Sequence, residues 1–260
     1  MAELEYTNAA ARKLEDMYRT GDVIAQRVET RRLLKPCAGE TVIDIGCGPG
    51  FLCEEIADAV GTSGRVIGID VSQDFLSLAT SRNHRSFLEY RFGDATAIDA
   101  PDQSFDAAVC AQVAEYIPDV DRVLTETYRV LRPGGRALFV ATDWDTLVWH
   151  SDKPERMDVV LKSWEAHCAH PRLPRKLGQR LKRAGFTVAE VSTFPIVNLT
   201  WSTSTYSEGL ADLVRSFVSA QNEIPLDVLA LWREELEELS SAGNYFFSIC
   251  RFMFLACKLG

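Results

Sequence analysis

Three glycines at alternate positions, Gly46, Gly48 and Gly50, follow the β-branched run Thr41-Val42-Ile43-Asp44-Ile45 and open the apolar segment that begins at Phe51. A glycine turn between a strand and a helix lets the backbone approach a ligand closely, and the helix start offers free N–H groups and a partial positive charge. The spacing is G-x-G-x-G. The dinucleotide pattern G-x-G-x-x-G fails because Phe51 stands at its last glycine. Further on, Asp70 ends the run Val66-Ile67-Gly68-Ile69. A carboxylate there accepts two hydrogen bonds in parallel and suits the two hydroxyls of a ribose. After a third apolar run, Phe92-Gly93-Asp94-Ala95 sets a carboxylate that can accept from an exocyclic amine beside an N–H that can donate to a ring nitrogen. That pair of contacts reads adenine. A bare turn at the glycines and a helix cap at Asp70 are the plain structural readings of each feature alone; their combination in this order favours a ligand.

Taken in order, Asp44-x-Gly46-x-Gly48-x-Gly50, Asp70, Gly93-Asp94-Ala95, Asp102-x-Ser104-Phe105-Asp106 and Arg129-Val130-Leu131-Arg132-Pro133-Gly134-Gly135 resemble the class I S-adenosylmethionine (SAM) methyltransferases. The nearest type is the small-molecule one of ubiquinone and menaquinone biosynthesis, over about residues 20–145. The resemblance implies an α/β, Rossmann-like fold: a seven-stranded, mostly parallel sheet with helices on both faces and an antiparallel last strand, which Asn244 to Lys258 would supply. It also implies SAM as cofactor. Asp44, Gly46 and Gly48 would face its methionine end, with Gly50 closing the same loop. Asp70 would hold the ribose with Val71 beside the adenine, and Asp94 and Ala95 the adenine edge. Gln112 would lie near the methionine or sulfonium end, and Tyr18 and Gln26 would cover the cofactor from an N-terminal lid. Where relatives often carry His, this chain has Tyr116, so a role of that His near the acceptor passes to a phenol or is lost.

A sulfonium methyl is already activated. The protein must align an acceptor lone pair with the S–CH₃ bond, about 3–3.5 Å from the carbon, and exclude water; positioning alone supplies roughly 7–11 kcal/mol. A general base adds about 10²–10⁴-fold, and only where the acceptor must lose a proton. Candidates on the acceptor side are Tyr116, Asp143 in Asp143-Trp144-Asp145, and His150; His167 and His170 follow, and for each histidine a surface or core place is the plainer alternative. No metal site is expected, because Pro171 crowds the end of His167-Cys168-x-His170 and no further ligand pair follows. All five tryptophans fall after Asp143, where they either line a pocket for a flat or apolar substrate or form the core of a lid. Arsenite methyltransferases share the arrangement and use thiols. Cys53 falls where they have one, but Gln112 occupies their second position and Cys110 lies two residues earlier, so a core role for Cys53 is expected.

The elements that must position these residues alternate. Helices are expected at 7–19 and 22–34, then strand 41–45, helix 51–60, strand 65–70, helix 73–81, strands 88–92 and 105–113, helix 120–131 and strand 136–142. Strands alternating with helices imply βαβ units and a parallel sheet. Beyond Asp143, helices are expected at 153–167, 173–184, 206–220 and 225–241 and strands at 187–197 and 244–258. One domain over 1–260 results: an N-terminal helical lid (1–34), a SAM-binding core (35–145) and a helical substrate-lid insertion (199–243).

The chain of 260 residues carries 28 Lys and Arg against 37 Asp and Glu, a formal charge of −9. That balance counts against a nucleic-acid partner, which needs clustered cations, and the Asn/Asp-Pro-Pro-aromatic run of base methyltransferases is absent at Ala111-Gln112-Val113-Ala114. Seven cysteines without a C-x-x-C pair and a start without a basic or apolar leader are expected of free thiols in the cytoplasm. No stretch is long and apolar enough for a membrane span. The expected function is transfer of a methyl group from SAM to a small molecule at O, N or C, with a second copy of the chain, as a homodimer, the candidate protein partner. SAM binding without transfer, as in a cyclase or a regulatory module, and arsenite methylation are the alternatives.

Overall fold

The computed structural model describes residues 8–260, with side chains from residue 12; residues 1–7 of the expected lid lie outside the described residues. β1 (Thr41–Ile45) is buried from Val42 onward because both faces of the sheet are covered, as its unbroken apolar run requires. It pairs in parallel with β2 (Arg65–Asp70) on one side and β4 (Phe105–Ala111) on the other. β3 (Leu88–Phe92) adds beyond β2, and β5 (Leu131–Thr142) beyond β4. The last strand, β8 (Phe247–Cys257), lies antiparallel between β5 and β7 (Thr187–Asn198).

The sheet has eight strands rather than the expected seven, in the order β3-β2-β1-β4-β5-β8-β6 with β7 also paired to β8. The extra one is the two-residue β6 (Val148–Trp149), pairing with Phe247 and Ser248. β5 also begins earlier than expected. Phe105 pairs with Leu131 but Ala107 already with Arg136, so Arg132 to Gly135 bulge out. Pro133 has no N–H to give the ladder, and Gly134 takes φ +81°.

Alternate strand residues feed two cores. On one face, Ile43, Ile45, Ile67 and Phe139 pack under α5 (Val120–Val130) and α7 (Pro174–Arg183). On the other, Val42, Val66, Val109 and Val140 pack under α2 (Gly21–Leu34), α3 (Phe51–Val60) and α4 (Gln73–Arg82). A third cluster stands beyond the carboxyl ends of the strands. There α8 (Tyr206–Gln221) and α9 (Leu226–Ser241), inserted between β7 and β8, pack on α6 (Pro154–Trp164) through Trp164, Phe217 and the fully buried Trp232. α6 and the turn around Trp144 thus join the layer expected of 1–34 and 199–243. α1 (Asn8–Tyr18) touches the same layer through Met17 and Tyr18. Among the described residues no helix is long and apolar enough to cross a membrane.

Candidate active site at the strand ends

Where β1 ends, the backbone must turn sharply under β2 and β4. Gly46 takes φ +72° and donates its N–H to the Ile69 carbonyl at 2.8 Å. A Cβ at Gly46 would come within 2.7 Å of a methyl of Val113, so only glycine lets β4's following turn close over the loop. Gly48 (φ +52°) turns its N–H outward to Oδ2 of Asp70 at 2.8 Å. Oδ1 of Asp70 accepts from the Ser72 N–H at 2.8 Å, which starts α4. Asp70 therefore fastens the glycine loop to β2. Burial raises its pKa while these N–H groups pull it back. Gly50 (φ +83°) offers its carbonyl to the Tyr90 hydroxyl at 3.1 Å.

Below the loop lies a cavity of about 50 Å³ lined by Asp44, Gly46 and Gln112 from the sheet and by Tyr18, Gln26 and Arg27 from the N-terminal helices. Arg27 holds these helices to the core, donating to the Tyr18 carbonyl at 2.6 Å and to Glu55 of α3 at 2.8 Å. Asp44 is 2% exposed and accepts from the Cys53 thiol at 3.1 Å. Burial pushes its carboxyl up to about 7, against the Cys53 hydrogen bond. Gln112 sits at φ +60°; its backbone N–H goes to Val140 at 2.7 Å and its Oε1 accepts from the Thr142 hydroxyl at 2.8 Å. A larger groove of about 710 Å³ is lined by Ala97, Asp102, Glu126 and Arg129 and shares no residue with this cavity.

Thr142 leads to residues the sequence did not reveal. Arg251, buried in β8, donates to the Thr142 hydroxyl and, through Nε, to Oε1 of Gln26 at 3.1 Å. Its guanidinium lies 4.9 Å from the Tyr206 ring. On the other side of Thr142, Glu115 is wholly buried; Oε1 accepts the Thr142 N–H at 3.2 Å, and Oε2 has no protein partner. Burial pushes this carboxyl up to about 7, tempered by backbone N–H groups and Arg251. The only available signal was a charge standing in otherwise apolar surroundings, Arg251 within Phe247–Cys257 and Glu115 after β4.

The expected adenine side lies one strand over. The Gly93 N–H donates to the Asp70 carbonyl at 3.1 Å and so sets the β3 end against β2. Asp94 is exposed, its Oδ1 accepting from the Thr96 N–H and hydroxyl at 2.8 Å; Ala95 is buried and Val71 exposed.

The three expected catalytic residues do not converge on the cavity. Asp143 is buried against Arg175, whose guanidinium donates to both carboxylate oxygens at 2.6 and 3.0 Å, so it is tied into an ion pair. His150 is exposed, 3.7 Å from Asp152, with its N–H on the Phe246 carbonyl at the outer edge of the helical layer. Tyr116 is half-buried and meets the ring of His167 edge-on at 5.8 Å. Cys53 and Cys110 are buried on opposite faces of the sheet, one in each core. Among the described residues no three His, Cys, Asp or Glu groups gather to hold a metal ion.

A methyltransferase-domain family model matches residues 43–139. A demethylmenaquinone methyltransferase of Oceanobacillus iheyensis is 34% identical over 125 residues, 47% of this chain and 52% of that protein. An arsenite methyltransferase of Halobacterium salinarum is 40% identical over 101 residues, 38% of this chain and 26% of that protein. The chain thus matches about half or less of the length of these curated relatives. In fold, it resembles phosphoethanolamine N-methyltransferase 2 of Haemonchus contortus, solved with SAM, at a TM-score of 0.64 and 19% identity over 99% of this chain and 58% of that one.

Proposed function

We propose, from the methyltransferase-domain match over residues 43–139, that the chain is a class I enzyme that transfers the methyl group of SAM to a small-molecule acceptor. The observation that carries the reading is the convergence of Asp44, Gly46 and Gln112 with Tyr18 and Gln26 on one cavity, beside a glycine loop that Asp70 holds in place.

The residues fit the cofactor. Of the loop, Gly46 lines the cavity in a left-handed conformation with Cys47 and Pro49 beside it, and Gly48, also left-handed, faces the Tyr18 hydroxyl 3.9 Å from where a Cβ would stand. Asp44 and Gln112 would meet the methionine end and Asp70 the ribose, with Gly50 shaping the loop. Val71, Asp94 and Ala95 would bound the adenine, and Tyr18 and Gln26 would cover the whole. Bound there, SAM supplies an electrophilic methyl carbon. The protein's part is to orient the acceptor and exclude water, which the layer of α1, α2, α6, α8 and α9 over the strand ends is placed to do. We assign no base role to Asp143, which Arg175 holds, or to His150, which faces solvent; Tyr116 stays on the acceptor side. The net charge and the apolar helical layer favour a small molecule over nucleic acid, and the free thiols favour the cytoplasm. A homodimer is compatible with this reading.

Calorimetric titration with SAM and with NAD tests the reading. We expect saturable SAM binding and none for NAD. Tight NAD binding with silent SAM overturns it, and absence of labelled methyl transfer to any acceptor in a metabolite extract leaves a SAM-binding module instead of an enzyme. The placement of the thiols counts against arsenite methylation, since Cys53 and Cys110 are separated by the sheet.

A further inference from the structure

The cavity under the glycine loop holds about 50 Å³, well short of the roughly 300–1,000 Å³ of a small-molecule site. One of its walls has to move before a ligand enters. The sheet side is fixed, since Asp44, Gly46 and Gln112 stand on β1 and on the tight turns that follow β1 and β4. α2 is fixed as well. Leu33 and Leu34 lie in the core, Gln26 is bonded to Arg251 and Arg27 to Glu55. Asp22 accepts from the Tyr206 N–H at 2.8 Å, where α8 starts, and from Asn198 Nδ2 at 2.9 Å. α1 differs. Of its described side chains Leu14 alone is buried, against Phe75 of α4. Segments with few buried apolar contacts open first. Thr20, in extended backbone at φ −64° and ψ 151°, separates α1 from α2.

Arg82, the last residue of α4, holds α1 down. Its guanidinium donates to three elements at once: the Pro49 carbonyl in the glycine loop, Glu54 of α3 at 3.3 Å, and Glu15 of α1. A planar fork of five N–H donors suits three acceptors on separate elements. The same group lies 4.3 Å from the centre of the Phe51 ring. Pro49, Phe51 and Tyr18, the last residue of α1, all line the cavity. The peptide joining Pro49 to Gly50 is held at both ends, its carbonyl by Arg82 and its N–H by the Cys47 carbonyl at 3.0 Å.

The far side of α1 meets α8 at Gly209. A Cβ there would come within 2.9 Å of Met17 Cγ and 3.1 Å of Met17 Cβ. Glycine is among the poorest residues inside a helix, and here it leaves the notch that seats Met17. α1 thus bridges α4, beside the cofactor cavity, and α8, in the helical layer over the strand ends.

We propose that α1 is a gate on the cofactor cavity and that Arg82 is the positioning residue that latches it to the glycine loop. The gate swings at Thr20 while α2 stays as a wall. Closed, it seats Met17 against α8, sets Glu15 on Arg82 and shuts water out of the cavity. This rests on the methyltransferase reading above, which supplies the ligand.

Two substitutions open the gate by different routes. Glu15→Ala cuts the latch and leaves Arg82 on Pro49. Gly209→Ala fills the notch and favours α8 as a helix. These variants, Arg82→Met and the wild type are loaded with labelled S-adenosylhomocysteine and chased with the unlabelled compound. We expect release about tenfold faster from Glu15→Ala, the scale of one hydrogen bond between charged groups, and faster release from Gly209→Ala too. Association should be no slower than wild type in either, and their urea midpoints should stay near it, which shows that they fold. Arg82→Met should release the ligand at least as fast as Glu15→Ala and also take it up more slowly, because the loop loses its hold on Pro49. Wild-type release from Glu15→Ala and Arg82→Met overturns the latch. Slowed association in Glu15→Ala and Gly209→Ala overturns the gate, since a damaged wall binds slowly and an opened one does not. Failure of the wild type to bind S-adenosylhomocysteine would instead bring down the methyltransferase reading, and the gate with it.

Discussion

Arg251 and Gln26 are 225 residues apart in the chain, yet the arginine Nε lies 3.1 Å from the glutamine Oε1. Through this bond the antiparallel strand holds the second helix over the cofactor cavity, while the same guanidinium grips Thr142 at the end of β5. Neither partner is charged. Arg251→Met keeps the packing and removes both bonds. Hydrogen bonds to a charged group are worth about 1.5–3 kcal/mol each, offset in part by no longer burying a cation. We expect a net loss of about 2–4 kcal/mol in urea unfolding and weaker SAM binding. Unchanged SAM affinity in a destabilised variant would confine Arg251 to the fold.

Asp70 is expected to act twice, as the anchor of the glycine loop and as the acceptor for a ribose. Asp70→Ala frees the Gly48 and Ser72 N–H groups and removes the carboxylate from the ligand. SAM affinity measured by calorimetry should fall by about tenfold or more, equivalent to about 1.4 kcal/mol. Equal affinity in the two proteins would remove the ribose assignment.

Gly46 has no room for a side chain. In Gly46→Ala the methyl would press on Val113 and the residue would hold φ +72° with a Cβ. Strain at such a site costs about 1–3 kcal/mol, and overpacking adds to it. Thermal melts should show the loss, and the double variant with Val113→Ala should recover part of it. No recovery would mean that backbone strain alone sets the cost.

How far these relations were legible depends on their range. The strand ends carrying Asp44, Gly46, Asp70 and Asp94 could be read because local periodicity places a glycine turn or an acidic residue at the same edge of a parallel sheet. The bulge at Arg132 to Gly135 falls in the gap between the expected helix 120–131 and strand 136–142, since Pro133-Gly134-Gly135 breaks either element. His150 and His167 are alike in sequence. Only packing buries one among tryptophans and leaves the other beside Asp152. Arg251 sits where alternation suggests an ordinary strand residue, and its partners come from the far ends of the chain, a pairing that no window of sequence contains.

Cys53 is a test of the thiol alternative. It is buried, with burial holding its pKa well above the usual thiol value, and its Sγ donates to Asp44. A thiol so protonated is a poor nucleophile or metal ligand. Cys53→Ser keeps a donor for Asp44, so SAM binding and methyl transfer should persist at wild-type levels in activity assays. Loss of transfer with SAM binding intact would revive a chemical role for the thiol.

Glu115 should make stability depend on pH in an unusual direction. Its carboxyl rises from an ordinary 4.5 to about 7 in the fold, because burial outweighs the Thr142 N–H and the Arg251 charge. Cys110 and Cys168 face it as well, and both are held protonated by burial. The folded state therefore keeps a proton that the unfolded chain has released between these two values. Stability from this group is fully present below about pH 4.5, declines as the pH rises toward 7, and is lost above it. The difference of about 2.5 units corresponds to roughly 3 kcal/mol. Glu115→Gln keeps Oε1 as acceptor for Thr142 and has no proton to lose. Urea unfolding of both proteins from pH 4 to 8 should give a gap that widens with pH in favour of the variant. A constant gap, or one that narrows, would mean that Arg251 holds Glu115 ionised in the fold and that the two form a buried ion pair through Thr142.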